Sequence, residues 1–167
     1  ELTIYETACK EFERTKAYWN DIIGRVRIKT PSKVLDDYIN GWALYQNIAC
    51  RMLSRTSAYQ CGGAYGFRDQ LQDVCALTDI FPELTKKQIL MSAAHQFTEG
   101  DVQHWWHKSE DGQSADKGVR TRCTDDLMWL VYAVCEYTNR SGDYSISGIE
   151  VPYISSEPLK NGEHERY

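Results

Sequence analysis

The sequence predicts an all-α domain with about five helices paired as hairpins. Three observations lead there. Apolar residues recur at helical spacing in separate stretches from residue 3 to residue 138. Glycine and proline punctuate the chain between those stretches. The β-like run, Ile149 to Ile154, is short and carries a proline.

The elements follow in chain order. Residues 3–24 form an amphipathic helix, with Ile4, Ala8, Phe12, Tyr18, Trp19 and Ile22 apolar between Glu and Lys, and Gly24 near its end. Pro31 and Ser32 open a second helix that runs to about residue 54, with Ser32 as its N-cap. Its apolar residues, from Val34 through Tyr38 and Trp42 to Met52, cover most of its surface, so it is expected to be largely buried. Residues 55–66 make a loop in which Gly62, Gly63 and Gly66 allow positive φ or close backbone approach. A third helix from Phe67 places Arg68, Asp69, Gln72 and Asp73 on one side and Leu71, Val74 and Cys75 on another. Phe81-Pro82 breaks it. A fourth helix covers about 84–97, and a long polar loop takes residues 99–123. The fifth helix runs from Thr124 to about Thr138. The tail, 139–167, is expected to be irregular. In a stack of helical hairpins the loops at 55–66 and 99–123 fall at the same end.

Composition narrows the function. The 167 residues suit one domain or a piece of a larger one. A net charge of −5 and the lack of a basic stripe argue against nucleic-acid binding. No apolar run approaches the roughly 20 residues that span a bilayer. The chain shows no charged-then-apolar leader, and its start at Glu1 suggests a cut-out piece. Of the six cysteines, Cys9, Cys50, Cys75 and Cys135 sit among apolar residues of helices, which favours free thiols, a reducing compartment and a cytoplasmic location.

Residues 101–130 hold the densest chemistry, including three of the five tryptophans. His104 and His107 with Cys123 offer three metal ligands, but no second cysteine pair or HExxH pattern completes a zinc site, so no metal is expected. Trp105 and Trp106 suit either a flat stacking surface or packing between loops. Thr124, Asp125 and Asp126 suit a helix start. Two adjacent carboxylates beside Arg122 also suit a site in which one keeps its proton as a general acid. On the third helix Arg68 can donate to sugar hydroxyls and Asp73 can accept from two at once, although a tight turn and a solvated face explain the same residues. The P-loop pattern is absent.

Three blocks then stand together: SRTSAYQCGGAYGFRDQLQD at 54–73, AAHQFTEGDVQHWWH at 93–107 and GVRTRCTDDLMWLVYAVCEY at 118–137. In this order they resemble the catalytic domain of glycoside hydrolase family 94, the inverting sugar phosphorylases. The wording is nearest to the branch of chitobiose phosphorylase and the C-terminal part of cyclic β-1,2-glucan synthase. The resemblance implies part of an (α/α)6 barrel spanning 1–167, with too few helices for a whole one. It implies Asp125 as general acid, with Asp126 as the fallback. It implies Arg68 and Asp73 as the grip on the sugar, Asp69 as their support, and Gln103, Trp105, Trp106 and Arg122 along the cleft. Cys123 stands where the cellobiose branch has an aromatic. The implied reaction cleaves a β-linked oligosaccharide with inorganic phosphate to an α-sugar 1-phosphate, with phosphate as co-substrate and no other cofactor. The family's phosphate-binding histidine and Thr-Gly pair have no counterpart here, so the isolated chain is expected to be inactive. The competing expectation is a non-catalytic helical fragment that binds sugar weakly, or self-associates to cover bare helix faces.

Overall fold

The computed structural model describes residues 4–53, 63–109 and 116–167. The chain divides into two compact units, Glu1–Gln46 and Asn47–Tyr167.

The first unit contains helix α1 (Tyr5–Gly24), helix α2 (Lys33–Asp37), a π-helical stretch (Tyr38–Ala43) and the short helix α3 (Leu44–Gln46). Ser32 caps α2 as the sequence suggests: its Oγ accepts from the Leu35 amide. Asn40 brackets the strand-like approach to α2, accepting from the Ile28 amide and donating to the Ile28 carbonyl, both at 2.8 Å. Trp19 of α1 packs on Tyr45 with ring centroids 4.9 Å apart. The expected burial of the second helix holds only toward its C-terminal end, where Ile48 and Met52 are buried. Val34 is 80% exposed, Trp42 55% and Tyr38 54%. A helix that is apolar on most sides needs partners on most sides, and the described residues leave these side chains uncovered.

The second unit opens on another π-helical stretch (Asn47–Leu53). It continues with strand β1 (Tyr65–Gly66), helices α4 (Phe67–Cys75) and α5 (Pro82–Ala93), and strands β2 (Val102–His107) and β3 (Lys117–Thr121). Helix α6 (Thr124–Ser141), a 3-10 turn (Tyr144–Gly148) and strand β4 (Glu165–Arg166) complete it. Phe67 and Leu71 of α4, Ile89 of α5 and Leu130, Ala133 and Tyr137 of α6 form one core with Val102 and Trp106 of β2 and with Ile146. Pro82 begins α5, where its missing N–H costs no hydrogen bond. That helix ends at Ala93, so Phe97, placed in it by the sequence reading, instead bridges Ile154 of the tail.

The all-α expectation is overturned. The polar loop expected at 99–123 contains a hairpin, and the four strands form an antiparallel sheet in the order β1-β2-β3-β4. The physical reason lies in β2. Its register against β3 slips between Gln103 and Trp105, leaving His104 as an extra, bulged residue. A bulge breaks the period-two alternation by which a strand is recognised. Gly118 of β3 is equally telling. A Cβ there would lie 2.4 Å from the Trp105 carbonyl oxygen and 2.7 Å from the Trp106 Cβ, so the hairpin closes only over glycine.

The loops at 55–66 and 99–123 do meet. Tyr65 pairs with Trp106 and Gly66 with Trp105. Gly63 takes a left-handed φ of +73°, Gly66 is extended, and Gly62 lies outside the described residues. Helix α6 runs past Thr138 to a left-handed Gly142 cap. In the tail, Asp143 accepts from the Ser145 amide and from Lys86 of α5, and β4 pairs with β3. Cys9, Cys50, Cys75, Cys123 and Cys135 are free thiols, and Cys61 lies outside the described residues. No helix among the described residues is long and apolar enough to cross a membrane.

Candidate functional site

Two helix starts and one bulged strand converge in the second unit. Gly66, at the N-cap of α4, pairs across the sheet with Trp105 of β2. Cys123 is the N-cap of α6, so Thr124, Asp125 and Asp126 lie within the first turn; neither Thr nor Asp is the cap itself. Acidic residues there face the positive end of the helix dipole.

The convergence brings Arg68 and Asp125 together. The Arg68 guanidinium donates to the Asp125 carboxylate at 2.7 Å, joining α4 to α6, and lies 3.7 Å from Asp69. Asp125 also accepts from the Cys123 thiol at 2.8 Å. The Cys123 thiol, then Arg68, hold the Asp125 carboxyl below its usual range. Its side chain is 50% exposed.

Asp126 sits in the opposite environment. It is 0% exposed, and burial pushes its carboxyl upward, opposed by the hydrogen bond from His104. His104 Nδ1 and Asp126 Oδ2 are 2.6 Å apart, while Asp126 Oδ1 is buried with no partner among the described residues. The proton-retaining tendency that the sequence reading asks of a general acid therefore belongs to Asp126, and the exposure needed to reach a substrate belongs to Asp125.

The other candidates are dispersed. Asp73 of α4 does not pair with Arg68; its carboxylate accepts from Arg51 at 2.8 Å, and its backbone carbonyl accepts from Asn47. Trp106 is fully buried, stacked between His95 at 3.8 Å and Tyr65 at 5.8 Å between centroids. Trp105 is half-buried, with its ring 5.7 Å from that of Tyr167. Gln103 is buried, donates to the Asp116 carbonyl at 3.4 Å, and lines a cleft of about 580 Å³ with Phe97, Arg120, Ser156 and Tyr167. Arg68, Asp73 and Asp125 do not line that cleft. Arg122 donates to the Leu159 carbonyl at 2.7 Å, toward the tail.

His104, His107 and Cys123 do not assemble as the metal set considered from sequence. His104 turns to Asp126, and His107 lies edge-on to Trp105. Cys123, Asp125 and Asp126 do present donor atoms within 4.8 Å of one another. Arg68 already supplies positive charge there, and hydrogen bonding to Asp125 raises the Cys123 thiol above its usual range.

Sequence reasoning assigned no role to two residues of this region. One is Arg51, Asp73's partner. The other is Arg120, which is 3% exposed and fixed by Asp101, Glu99 and the carbonyls of Ser156 and Glu157 above the Phe97 ring. Neither has a signal in local spacing, since each partner is distant in the chain.

The result is a mainly helical domain with a small sheet, whose polar focus is an arginine–aspartate bridge between two helix starts. Its residues 18–164 match the model of the glycosyl hydrolase 94 superfamily catalytic domain, and the chain belongs to that family. It is 43% identical over 155 residues to cyclic β-(1,2)-glucan synthase NdvB of Rhizobium meliloti (strain 1021), covering 93% of this chain and 5% of that protein. It is 27% identical over 176 residues to the N,N'-diacetylchitobiose phosphorylase of Vibrio proteolyticus, covering 92% of this chain and 22% of that one. It is 26% identical over 144 residues to the solabiose phosphorylase of Paenibacillus borealis, with 86% and 17% covered. The chain thus spans between 5% and 22% of the length of these relatives.

Proposed function

We propose that this chain is the sugar-gripping part of an inverting glycoside phosphorylase or glycosyltransferase. It contributes helices to an (α/α)6 catalytic barrel that cleaves a β-linked oligosaccharide with inorganic phosphate. The observation that carries the reading is the Arg68–Asp125 bridge across the starts of α4 and α6, in a chain whose family includes disaccharide phosphorylases.

Inverting cleavage needs an acid on the leaving oxygen and a nucleophile on the opposite face of the ring. Phosphate is already anionic, so one catalytic carboxyl suffices. Asp125 is that acid in this reading, because it is exposed and Asp126 is sealed beneath it. Cys123 and Arg68 hold the Asp125 carboxyl below its usual range. A sugar entering the site draws Arg68 onto its hydroxyls and excludes water. Both changes raise the affinity of Asp125 for a proton. Asp69 steadies Arg68, and Trp105 offers a partly open ring to a sugar face. The phosphate cradle lies outside this chain, so phosphate is a co-substrate that these residues do not hold.

The test is to incubate the chain with phosphate and β-linked glucosides and assay sugar 1-phosphate. The expected result is saturable oligosaccharide binding without turnover. Release of sugar 1-phosphate by this chain alone would overturn the placement of the phosphate site, and no binding of any β-linked oligosaccharide would overturn the carbohydrate reading. A second reading, self-association of a non-catalytic fragment, is favoured by the exposed Tyr38 and Trp42.

A further inference from the structure

We propose that His104 is a substrate-contacting residue of the same site, presenting its Nε2 as a hydrogen-bond acceptor to a sugar hydroxyl, with Asp126 as its positioning residue. The inference rests on the carbohydrate reading above.

Five observations carry it. The β2 bulge falls at His104, and bulges re-aim a side chain that regular alternation would send elsewhere. The re-aimed ring meets a carboxylate that is 0% exposed, at 2.6 Å. No other side chain among the described residues bonds to Asp126, whose second oxygen is unpartnered, so the buried group is committed to holding this ring. With Nδ1–H donated to the Asp126 carboxyl, the contact fixes the tautomer in which Nε2 is the acceptor. The His104 side chain is 34% exposed, and its Nε2 has no partner among the described residues. Finally, the ring belongs to the junction already described. Its neighbour Trp105 pairs with the N-cap of α4, two residues before Arg68, and Asp126 follows Asp125 in the first turn of α6.

A buried carboxylate behind a partly exposed imidazole is a costly arrangement where only packing is needed, because an apolar residue of similar volume avoids desolvating a charge. It is an economical way to fix one tautomer and one ring orientation toward a ligand. The ligand class is a polyhydroxylated sugar. Arg68 offers donors, Asp125 and His104 Nε2 offer acceptors, and Trp105 offers an apolar face.

The experiment is titration of the chain with a β-linked glucose disaccharide, followed by the ring-nitrogen NMR signals of its histidines and by the dissociation constant. The unaltered chain shows a His104 Nε2 shift on saturation, with His95 and His107 unmoved. His104→Asn keeps a donor toward Asp126 but loses the Nε2 acceptor, and it weakens binding by about fivefold. His104→Gln, which carries an acceptor near the Nε2 position, recovers part of that loss. A merely structural His104 gives neither the ring shift nor the rescue. Unchanged affinity in His104→Asn, beside clear weakening in Arg68→Ala, overturns this inference alone. Failure of the unaltered chain to bind the disaccharide overturns it together with the carbohydrate reading.

Discussion

The two units contain similar residues and treat them differently. In the first, Tyr38, Trp42 and Val34 lie on the surface. In the second, Trp106, Phe67 and Leu71 are sealed. Helical spacing is present in both, so amphipathic pattern alone does not create a core. The second unit encloses its apolar residues because helices and a sheet close on them from several sides; the first offers two helical runs with large apolar side chains exposed. Such faces are interaction surfaces in waiting.

The largest effect that would sharpen this contrast comes from Gly118→Val. The side chain would be driven into the Trp105 carbonyl, and the second unit is expected to lose cooperative unfolding by circular dichroism. Trp106→Ala follows, with a loss of about 3–5 kcal/mol in urea titration, because Trp106 is fully buried between His95 and Tyr65. Trp42→Ala, in the first unit, should change stability by no more than about 0.5 kcal/mol. A large loss there would show that the exposed face is covered in solution. Sedimentation addresses the same point. Tyr38→Glu with Trp42→Glu should reduce concentration-dependent association, and an unaltered chain that stays monomeric at all concentrations would end the self-association reading.

The electrostatic contrasts are smaller. Asp126→Asn removes a buried charge yet keeps an oxygen for His104, so stability at neutral pH is expected to rise. The sign follows from linkage. Burial raises the folded pKa of Asp126 above its unfolded value, so its ionisation opposes folding above that folded pKa, and the penalty fades as pH falls through it. The variant's advantage should therefore shrink on acidification. Asp143 and Glu163 have the opposite sign. Lys86, Ser145 and Tyr137 hold Asp143 low, and Arg166 with the Lys160 amide holds Glu163 at about 2. Their contribution is present above the unfolded value of roughly 4 and is lost as pH falls through the folded values. Asp143→Asn should flatten that acid limb in a thermal-melt series, and an unchanged slope would show that the tail contacts do not form in solution.

Much of the helical layout was legible. Ser32 capped the second helix and Phe81-Pro82 separated the third predicted helix from the fourth, whereas the last helix ran one turn past the apolar spacing to a Gly142 cap. The sheet was not legible, because the bulge at His104 destroyed the alternation in β2. The site was legible in part. Arg68 and Asp125 were singled out and stand together, whereas Asp73 and Arg122 were singled out and point to other partners.

Residue order alone determined the helix starts and stops, the free chain's charge, and the three blocks that place it in its family, since these depend on local backbone chemistry and on words read along the chain. Only the tertiary structure decided which of two neighbouring aspartates is open and ionised and which is enclosed. That choice turns on what packs above each carboxylate, an arginine 57 residues away for one and a bulged histidine 22 residues away for the other. No local spacing encodes such partners, because the sheet register that delivers them is set only when the distant strands meet.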